Sequence, residues 1–316
     1  VFKLKQGTYA IIKNINQIEF KTWWKIKDNY NPNKSKNYIE YQNELEKLLD
    51  SSVNEQMISD VPYGSMLSGG IDSSLITAIM QKNSNNQIKT FTIGFQENDY
   101  NEAKHAKKIA NYLNTDHHEF YIDNSDALKL IPNIAEIYDE PFADSSQIPT
   151  ILISNIISKN VSVCLSGDGG DELFGGYNRY IWAKKFWFII NIMPKSSRLI
   201  LTRILSLIGI NNLNLVYKII NIICLNIINV KNSKSKIHKI INILKSSNEK
   251  DLYFRLVTQL EHNVTNLSKY SLNNYKIVND NVWSNKNLKF EEKLMYLDTK
   301  TYLPDDILVK VDRAAM

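Results

Sequence analysis

The chain has 316 residues, of which 43% are hydrophobic and 22% are charged, and its formal net charge is +5. Such a chain can bury a sizeable core in one large domain or two smaller ones, and its composition is that of an ordinary soluble globular protein. The one dense basic run, Lys231–Lys239, lacks interleaved aromatic residues. We interpret it as a solvated loop, and it gives no support for a nucleic-acid partner.

The two cysteines, Cys164 and Cys224, are too few and too far apart for a disulfide framework or a metal cluster. No secretory signal opens the chain, and its apolar runs are shorter than the roughly 20 residues that a bilayer span needs. We therefore expect a cytoplasmic protein without a membrane partner. Because the sequence starts at Val1 and stops directly after VDRAAM, we also expect a fragment of a longer polypeptide.

The first 37 residues are interpreted as a lead-in to the main domain. Apolar and polar residues alternate at a period near two in residues 1–30, which predicts extended chain, and residues 28–35 carry a loop signal. From residue 38 to about residue 60, apolar residues recur at helical spacing, which predicts a helix. We place the main domain at residues 38–316, truncated at its C-terminus.

Beyond residue 60, strand and helix patterns alternate. Short apolar or β-branched runs predict strands at residues 63–67, 88–95, 117–122 and 161–167. Helical periodicity predicts helices at residues 73–81, 102–113, 126–138 and 146–158. The alternation predicts an α/β fold in which a parallel sheet has helices on both faces, followed by a helical extension at residues 182–300.

The first turn, Ser68–Ser74, lies where the first of these strands passes into a helix. Ligands of parallel sheets bind beyond the carboxyl ends of the strands. Gly69 and Gly70 let the backbone approach a ligand, and the helix that begins at Ser73 and Ser74 offers unpaired N–H groups to an anion. We interpret the turn as a cradle for phosphate oxygens. The alternative is a helix cap on a tight Gly-Gly turn.

Carboxylates accompany both this turn and a second one. Asp72 would repel phosphates unless it held a Mg²⁺ ion that bridged them. The second turn, Ser166–Glu172, again follows an apolar strand and contains three carboxylates, those of Asp168, Asp171 and Glu172. So much negative charge is costly unless cations or substrate amines neutralise it. The alternative is an acidic first helical turn that the helix dipole favours.

Ser68–Ser74 resembles the PP-loop of the ATP pyrophosphatases, which cleave ATP between its α and β phosphates, adenylylate an oxygen of their substrate and release pyrophosphate. The second turn resembles that of the glutamine-hydrolysing asparagine synthetases within this fold. Three further stretches also resemble the glutamine-hydrolysing asparagine synthetases: SDVPYG before the first turn, DEPFADSSQIPT at Asp139–Thr150 and YLPDDILVKVDRAAM at Tyr302–Met316. The resemblance extends from about residue 59 to residue 316, and residues 182–290 carry no recognised motif.

The resemblance implies ATP and Mg²⁺ as ligands and assigns roles to residues of both turns. Asp72 and Asp171 would bind Mg²⁺-pyrophosphate. Asp168 would lie near the acyl-adenylate, where many members have Glu, a departure that bears on any role as proton acceptor. These three aspartates are the predicted catalytic residues. The other ATP contacts would come from Leu67 and Ile93 at the adenine and from Ser68, Gly69, Gly70, Ser73, Ser74, Ser166 and Gly167. Glu172, Tyr177 and Arg179 are expected to line the acceptor pocket.

The implied reaction joins ammonia to a carboxylate, aspartate in the namesake enzymes. The carboxylate attacks the α-phosphorus of ATP, and ammonia then displaces AMP. The ammonia comes from an attached glutaminase domain that this sequence lacks, and Val1–Trp24 resembles the tail of that domain and the linker. A lysine that follows VDRAAM in the family is also missing, and Lys310 is not its equivalent.

Several alternatives stay open because the motifs bind ATP and do not identify the acceptor. Relatives that amidate uronic acids of surface polysaccharides are one, a non-catalytic nucleotide-binding module is another, and a homodimer is neither favoured nor excluded. Neighbouring His117 and His118 point to opposite faces of a strand, so we expect no shared metal ion. We expect a solvated His105, interdomain packing of Trp23 and Trp24, and a helix cap at Asp305 and Asp306.

Overall fold

The computed structural model describes residues 3–29, 36–95, 101–208, 234–258 and 280–316, and the chain divides into two compact units. The first unit comprises residues 1–170 together with residues 300–316, and the second comprises residues 171–299. The predicted loop at residues 30–35, the residue Cys224 and the apolar run around it lie outside the described residues.

The first unit begins with an antiparallel hairpin of β1 (Thr8–Asn14) and β2 (Gln17–Thr22), which accounts for the period-two alternation of the lead-in. Helix α1 (Tyr38–Gln56) follows, and a capping box of Asn37 and Glu40 satisfies backbone N–H groups at its start. The predicted extended lead-in and first helix are therefore confirmed.

The sheet of the first unit has the order β5-β4-β3-β6, and every neighbouring pair is parallel. Its strands are β3 (Tyr63–Met66), β4 (Lys89–Phe95), β5 (Asp116–Ile122) and β6 (Val163–Leu165). The helices that alternate with them are α2 (Ile71–Lys82), α3 (Ala103–Leu113), α4 (Asn124–Leu130), α5 (Ile134–Tyr138) and α6 (Gln147–Ile157). A π-helical turn, Leu303–Ile307, and helix α13 (Leu308–Ala315) complete the unit.

Apolar clusters cover both faces of this sheet, which confirms the predicted α/β fold with a parallel sheet. Leu67 packs against Ala106 and Ala110 of α3, and Phe91 packs against Ile157 of α6 and Val161. Such burial on both sides is the usual setting of parallel strands.

Two details of the prediction for this unit are wrong. The helix expected over residues 126–138 is broken into α4 and α5 by a 3-10 turn at Ile131–Asn133, because Pro132 has no backbone N–H to continue the helical ladder. Strand β6, expected to be buried on both faces, leaves Val163 exposed at an edge of the described sheet.

All the regular secondary structure described in the second unit is helical, as predicted. It contains α7, which begins at the unit boundary (Gly170–Phe174), α8 (Asn178–Ile192), α9 (Lys195–Ile208), α10 (Lys234–Leu244), α11 (Glu249–Val257) and α12 (Phe290–Lys300). The interpretation of Lys231–Lys239 as a loop is wrong from Lys234 onward, because α10 begins there and buries Ile240, Ile243 and Leu244 in the core. None of the helices described in either unit is long and apolar enough to cross a bilayer.

Candidate active site

The first turn is organised by serine hydroxyls. The Ser68 and Ser73 hydroxyl oxygens lie 2.9 Å apart, and the Ser68 N–H donates to Ser73 Oγ at 3.2 Å. Ser74 Oγ donates to the carbonyl oxygen of Gly70, the residue before α2, at 2.6 Å. These local bonds hold an exposed turn in one conformation directly before the N-terminus of α2, where a helix dipole favours an anion.

Gly69 is required at its position for two reasons. Its φ of +84° lies in the left-handed region that side chains rarely adopt. A Cβ built on Gly69 would also lie 2.8 Å from the backbone nitrogen of Ala106 in α3. The turn can therefore pass this close to α3 only without a side chain.

Buried hydroxyl groups on the core side of the first turn hydrogen-bond to its backbone and to the adjoining strand and helix. Thr77 donates to the carbonyl oxygen of Ser73 at 2.8 Å and lies 2.8 Å from Ser65 Oγ, which therefore donates to it. The Thr92 hydroxyl donates to the carbonyl oxygen of Leu67, whose own N–H donates to Phe91 O at 2.9 Å. The sequence interpretation missed Thr77 and Thr92. The spacing of Thr77 four residues after Ser73 in a helix was the available signal.

The second turn follows β6 and is also held by a hydroxyl group. Ser166 Oγ donates to Asp168 Oδ2 at 2.6 Å, and the Gly170 N–H donates to Gly167 O at 3.3 Å. Gly169 has a φ of +93°, which again favours glycine. The Asp168 carboxylate is thus oriented by the residue two positions before it.

The first turn and the Ser166–Gly170 part of the second turn meet at Asp72. They follow the carboxyl ends of β3 and β6, which are paired in the sheet. A Cβ on Gly167 would lie 2.7 Å from the Ser73 nitrogen, and a Cβ on Gly170 would lie 2.5 Å from Asp72 Cγ. The two glycines therefore leave room for the start of α2 and for the Asp72 carboxylate.

The charge of this junction is negative, and no lysine or arginine of the described residues balances it by an ion pair. In the part of the chain that the structure describes, neither Asp72 nor Asp168 forms an ion pair with a lysine or an arginine. No three His, Cys, Asp or Glu side chains of the described residues are grouped so that they could hold a metal ion by themselves. One or two carboxylates beside a phosphate cradle fit Mg²⁺, which commonly completes its ligand set with phosphate oxygens and water.

The remaining acidic residues of the second turn belong to the second unit. The Asp171 carboxylate lies against Gly176, at the position that a Cβ there would occupy. Glu172 is 1% exposed and accepts a hydrogen bond from the Tyr177 hydroxyl at 2.6 Å. Because Asp171 and Asp72 lie in different units, their shared metal site stays a prediction.

Arg179, expected in the acceptor pocket, is paired to Asp298 within the second unit. Its Nε donates to Asp298 Oδ2 at 2.9 Å, and its Nη2 lies 2.8 Å from the same oxygen. Tyr180 and Tyr253 also donate to this fully buried carboxylate, at 2.7 and 2.9 Å. Burial and the Asp298 charge raise the pKa of Tyr180. The role of Arg179 at an acceptor stays a prediction, and its charge is already balanced by Asp298.

The two histidines on β5 contact residues of the neighbouring strand β4. His117 Nδ1 lies 2.9 Å from Thr90 Oγ1, whereas the His118 ring stacks on Phe91. They point to opposite faces, as expected, and no metal-binding group of three forms there among the described residues. His105 is exposed, as predicted.

The other expectations from the sequence concern residues away from the two turns. The helix cap expected at Asp305 and Asp306 is wrong, because both residues lie inside the π-helical turn, whose N-cap residue is Tyr302. Asp305 instead accepts a hydrogen bond from Gln6 Nε2 at 3.1 Å. Trp23 and Trp24 are largely exposed, and their interdomain packing stays a prediction.

Comparison with known proteins connects this geometry to one family. The family model described as asparagine synthase matches residues 44–316. A putative glutamine-hydrolyzing asparagine synthetase 2 of Methanocaldococcus jannaschii is 39% identical over 203 residues, which cover 63% of this chain and 38% of the relative. Glutamine-hydrolyzing asparagine synthetase 1 of Bacillus subtilis is 37% identical over 180 residues, which cover 57% of this chain and 28% of the relative.

Asparagine synthetase B of Escherichia coli, also named glutamine-hydrolyzing, is 34% identical over 158 residues. Those residues cover 45% of this chain and 28% of the relative. The chain therefore spans between 28% and 38% of the length of these three relatives.

Proposed function

The chain belongs to the asparagine synthase family, and from this premise we propose that it activates a carboxylate with ATP, in a protein that makes asparagine from aspartate. The observation that carries the proposal is the position of Asp72, whose carboxylate lies against Gly170 at the shared carboxyl end of β3 and β6. A helix N-terminus, two glycine turns and a carboxylate that no cation of the described residues pairs with suit a nucleoside triphosphate that arrives with a divalent cation.

In this proposal the first turn holds the phosphates. Backbone N–H groups and hydroxyls of Ser68–Ser74 would donate to phosphate oxygens, and Asp72 and Asp171 would hold the magnesium ion. When bound, that ion offsets the charge that builds up on the leaving pyrophosphate. Leu67 and Ile93 would border the adenine. Since the Leu67 side chain is 1% exposed and packs against α3, and its N–H and carbonyl oxygen have partners in Phe91 and Thr92, Leu67 supports the adenine site from the core.

The Ser166–Gly170 segment faces the α-phosphate. Ser166 and Gly167 contact the nucleotide there, and Ser166 fixes Asp168 beside the acyl group. Asp168 would orient the acceptor or the amine, and its side chain is one methylene shorter than the Glu of many members. Positioned groups of this kind lower the barrier chiefly by orientation and electrostatic stabilisation.

The chemical steps balance as follows. A carboxylate oxygen of aspartate forms a bond to the α-phosphorus, the bond from that phosphorus to the bridging β oxygen breaks, and pyrophosphate leaves. Ammonia then forms a bond to the acyl carbon, the bond to AMP breaks, and one proton is released. We propose that the ammonia comes from a glutaminase domain attached to this chain, because the three relatives are named glutamine-hydrolyzing and are much longer than the matched region.

The test is acceptor-dependent exchange of labelled pyrophosphate into ATP. We expect exchange with aspartate and Mg²⁺, none without an acceptor, and none in an Asp72→Asn variant, whereas exposed Asp28→Asn behaves like the unmodified chain. Exchange with a uronic acid in place of aspartate would reassign the acceptor. Tight Mg·ATP binding without exchange for any acceptor would indicate a non-catalytic nucleotide-binding module, and absence of binding would overturn the proposal.

A further inference from the structure

Two of the sequence motifs received no chemical role, and the structure joins them through one lysine. Lys310, in the Tyr302–Met316 motif, is 8% exposed, and its ammonium group donates to Asp144 Oδ2 at 3.0 Å and to Ser146 Oγ at 2.9 Å. Asp144 and Ser146 belong to the Asp139–Thr150 motif. A buried ammonium group is tolerated only when it is paired and hydrogen-bonded in this way.

The Asp144 carboxylate, which accepts the hydrogen bond from Lys310, is itself held in place by Ser146. The N–H and hydroxyl of Ser146 donate to Asp144 Oδ1 at 2.8 and 2.7 Å. Burial of Asp144 opposes its ionisation, but the bonds from Ser146 and Lys310 outweigh this effect and hold the pKa of Asp144 below its usual value. The carboxylate is therefore charged at neutral pH and placed at the start of α6.

The helix that carries Lys310 is anchored at other points as well. The buried Tyr138 hydroxyl donates to the carbonyl oxygen of Lys310 at 3.2 Å. Ala314, further along α13, packs in an apolar cluster with Tyr138 and Ile151. Helix α13 is thus held against α5 and α6 by polar and apolar contacts together.

The opposite end of the same helical run reaches the second turn. Leu303, the first residue of the π-helical turn before α13, lies beside Gly169, where a Cβ would be 3.6 Å from Leu303 Cδ1. Gly169 directly follows Asp168. A continuous helical run rises about 1.5 Å per residue and is stiff over this length. A displacement of α13 would therefore be transmitted to the turn.

We propose that Lys310 is a positioning residue that, through α13 and Leu303, fixes the Ser166–Gly170 segment and Asp168 relative to Asp72. The inference rests on the proposed function for its catalytic consequence, whereas its structural part can be measured without catalysis. It also gives both motifs a shared role, which is to hold the second turn in place.

The matched variants are Lys310→Met, which keeps an unbranched apolar stem, Lys310→Arg, which keeps the charge, and Lys129→Met, which alters an exposed lysine of the same unit. For Lys310→Met we expect an unchanged stoichiometry of Mg·ATP binding and a Kd that rises by at most about threefold, because the first turn still holds the phosphates and only the contacts of Ser166 and Gly167 are weakened. The maximal rate of aspartate-dependent exchange should fall by more than about tenfold, because misplaced groups lose orientation.

Lys310→Arg should recover most of that rate, and Lys129→Met should match the unmodified chain. Leu303→Ala tests the far end of the helical run without disturbing the buried ion pair, and it should reproduce the loss of rate. A fall in binding stoichiometry that matches the fall in rate would mean that Lys310 serves folding alone and would overturn the positioning role, as would an unchanged rate in Lys310→Met.

Amide hydrogen exchange separates this inference from the proposed function. In Lys310→Met, amides of residues 166–170 should exchange more than about tenfold faster, whereas amides of residues 68–74 stay unchanged. If the unmodified chain catalyses no pyrophosphate exchange but this pattern is seen, the proposed function fails and the positioning role stands. Equal exchange in the two proteins, or a uniform increase over the whole unit, would contradict the positioning role.

Discussion

Two carboxylates, Asp298 in the second unit and Asp72 in the first, have opposite environments. In the second unit, the buried carboxylate of Asp298 receives bonds from Arg179, Tyr180 and Tyr253. In the first unit, Asp72 lies against Gly170, and within the described residues no lysine or arginine is paired with it. The Asp298 carboxylate, whose charge the protein balances, stabilises the fold. The Asp72 carboxylate, which has no such cationic partner among the described residues, is available to a ligand.

The distinction follows from the energetics of buried charge. Removing one partner of a buried ion pair leaves an uncompensated charge and is strongly destabilising. A solvated carboxylate beside a phosphate cradle has no such requirement, and it contributes to binding only when a cation arrives with the phosphates. The two kinds of carboxylate should therefore respond differently to the same Asp→Asn substitution.

The largest effect is expected at Asp298. Asp298→Asn replaces a fully buried carboxylate that neutralises Arg179, and the free energy of unfolding should fall by about 3–5 kcal/mol in urea titrations. Glu291→Gln removes the partner of the exposed Lys184 in the same unit and should cost at most about 1 kcal/mol. Equal losses in the two variants would contradict the claim that a buried carboxylate balanced by the protein contributes more to stability than a carboxylate in an exposed pair.

Asp72→Asn should show the reverse pattern, with a loss of activity and no loss of stability. We expect aspartate-dependent pyrophosphate exchange to fall by about a hundredfold or more, because a group that stabilises developing charge is lost. The urea midpoint should stay unchanged or rise, since no lysine or arginine in the described part of the chain is paired with this carboxylate. A variant that unfolds as readily as Asp298→Asn would show that Asp72 is structural after all.

A smaller effect is expected at the hydroxyl layer beneath the first turn. Thr92→Val preserves the shape of the side chain but removes the donor to Leu67 O, and unfolding should become easier by about 1–2 kcal/mol. Thr299→Val, in the second unit, removes a bond to Met295 O that lies in a helix and is less buried, and it should cost less. Chemical denaturation of both variants measures the difference, and a larger cost at Thr299 would go against our interpretation.

The smallest effect is a pH dependence that Asp144 confers on the first unit. Since the folded-state pKa of Asp144 lies below its unfolded value, its stabilising contribution is complete above about pH 4 and is lost as the pH falls through the folded-state pKa. The stability difference between the unmodified chain and Asp144→Asn should therefore shrink in acid. Unfolding measured between neutral pH and pH 3 tests this, and a constant difference would refute it.

Much of the first unit was predictable because its signals are local. A β-branched run such as residues 88–95 predicts a strand, and a Gly-Gly or Gly-Asp-Gly-Gly stretch directly after an apolar run predicts a ligand-binding turn. The sequence therefore predicts the parallel sheet and the positions of both turns with little error, whereas the ligand of the turns stays a prediction. The helix at residues 126–138 was mispredicted although the signal, Pro132, is also local.

The partners that define the polar networks could not be predicted in this way. Asp298 is separated from Arg179 by 119 positions, and Asp144 is separated from Lys310 by 166. Their pairing depends on how helices pack in three dimensions, and neither periodicity nor composition carries that information. As a result, the pairing of Arg179 with Asp298 and that of Lys310 with Asp144 were not predicted.

The most direct test of the account measures how far Mg²⁺ strengthens ATP binding in the unmodified chain and in Asp72→Asn. If the Asp72 charge is balanced by a cation bound to the nucleotide, Mg²⁺ should tighten ATP binding by about tenfold or more in the unmodified chain and hardly at all in the variant. ATP without metal should bind the variant at least as well, because a repulsive charge is gone. The same magnesium dependence in both proteins would contradict the central claim.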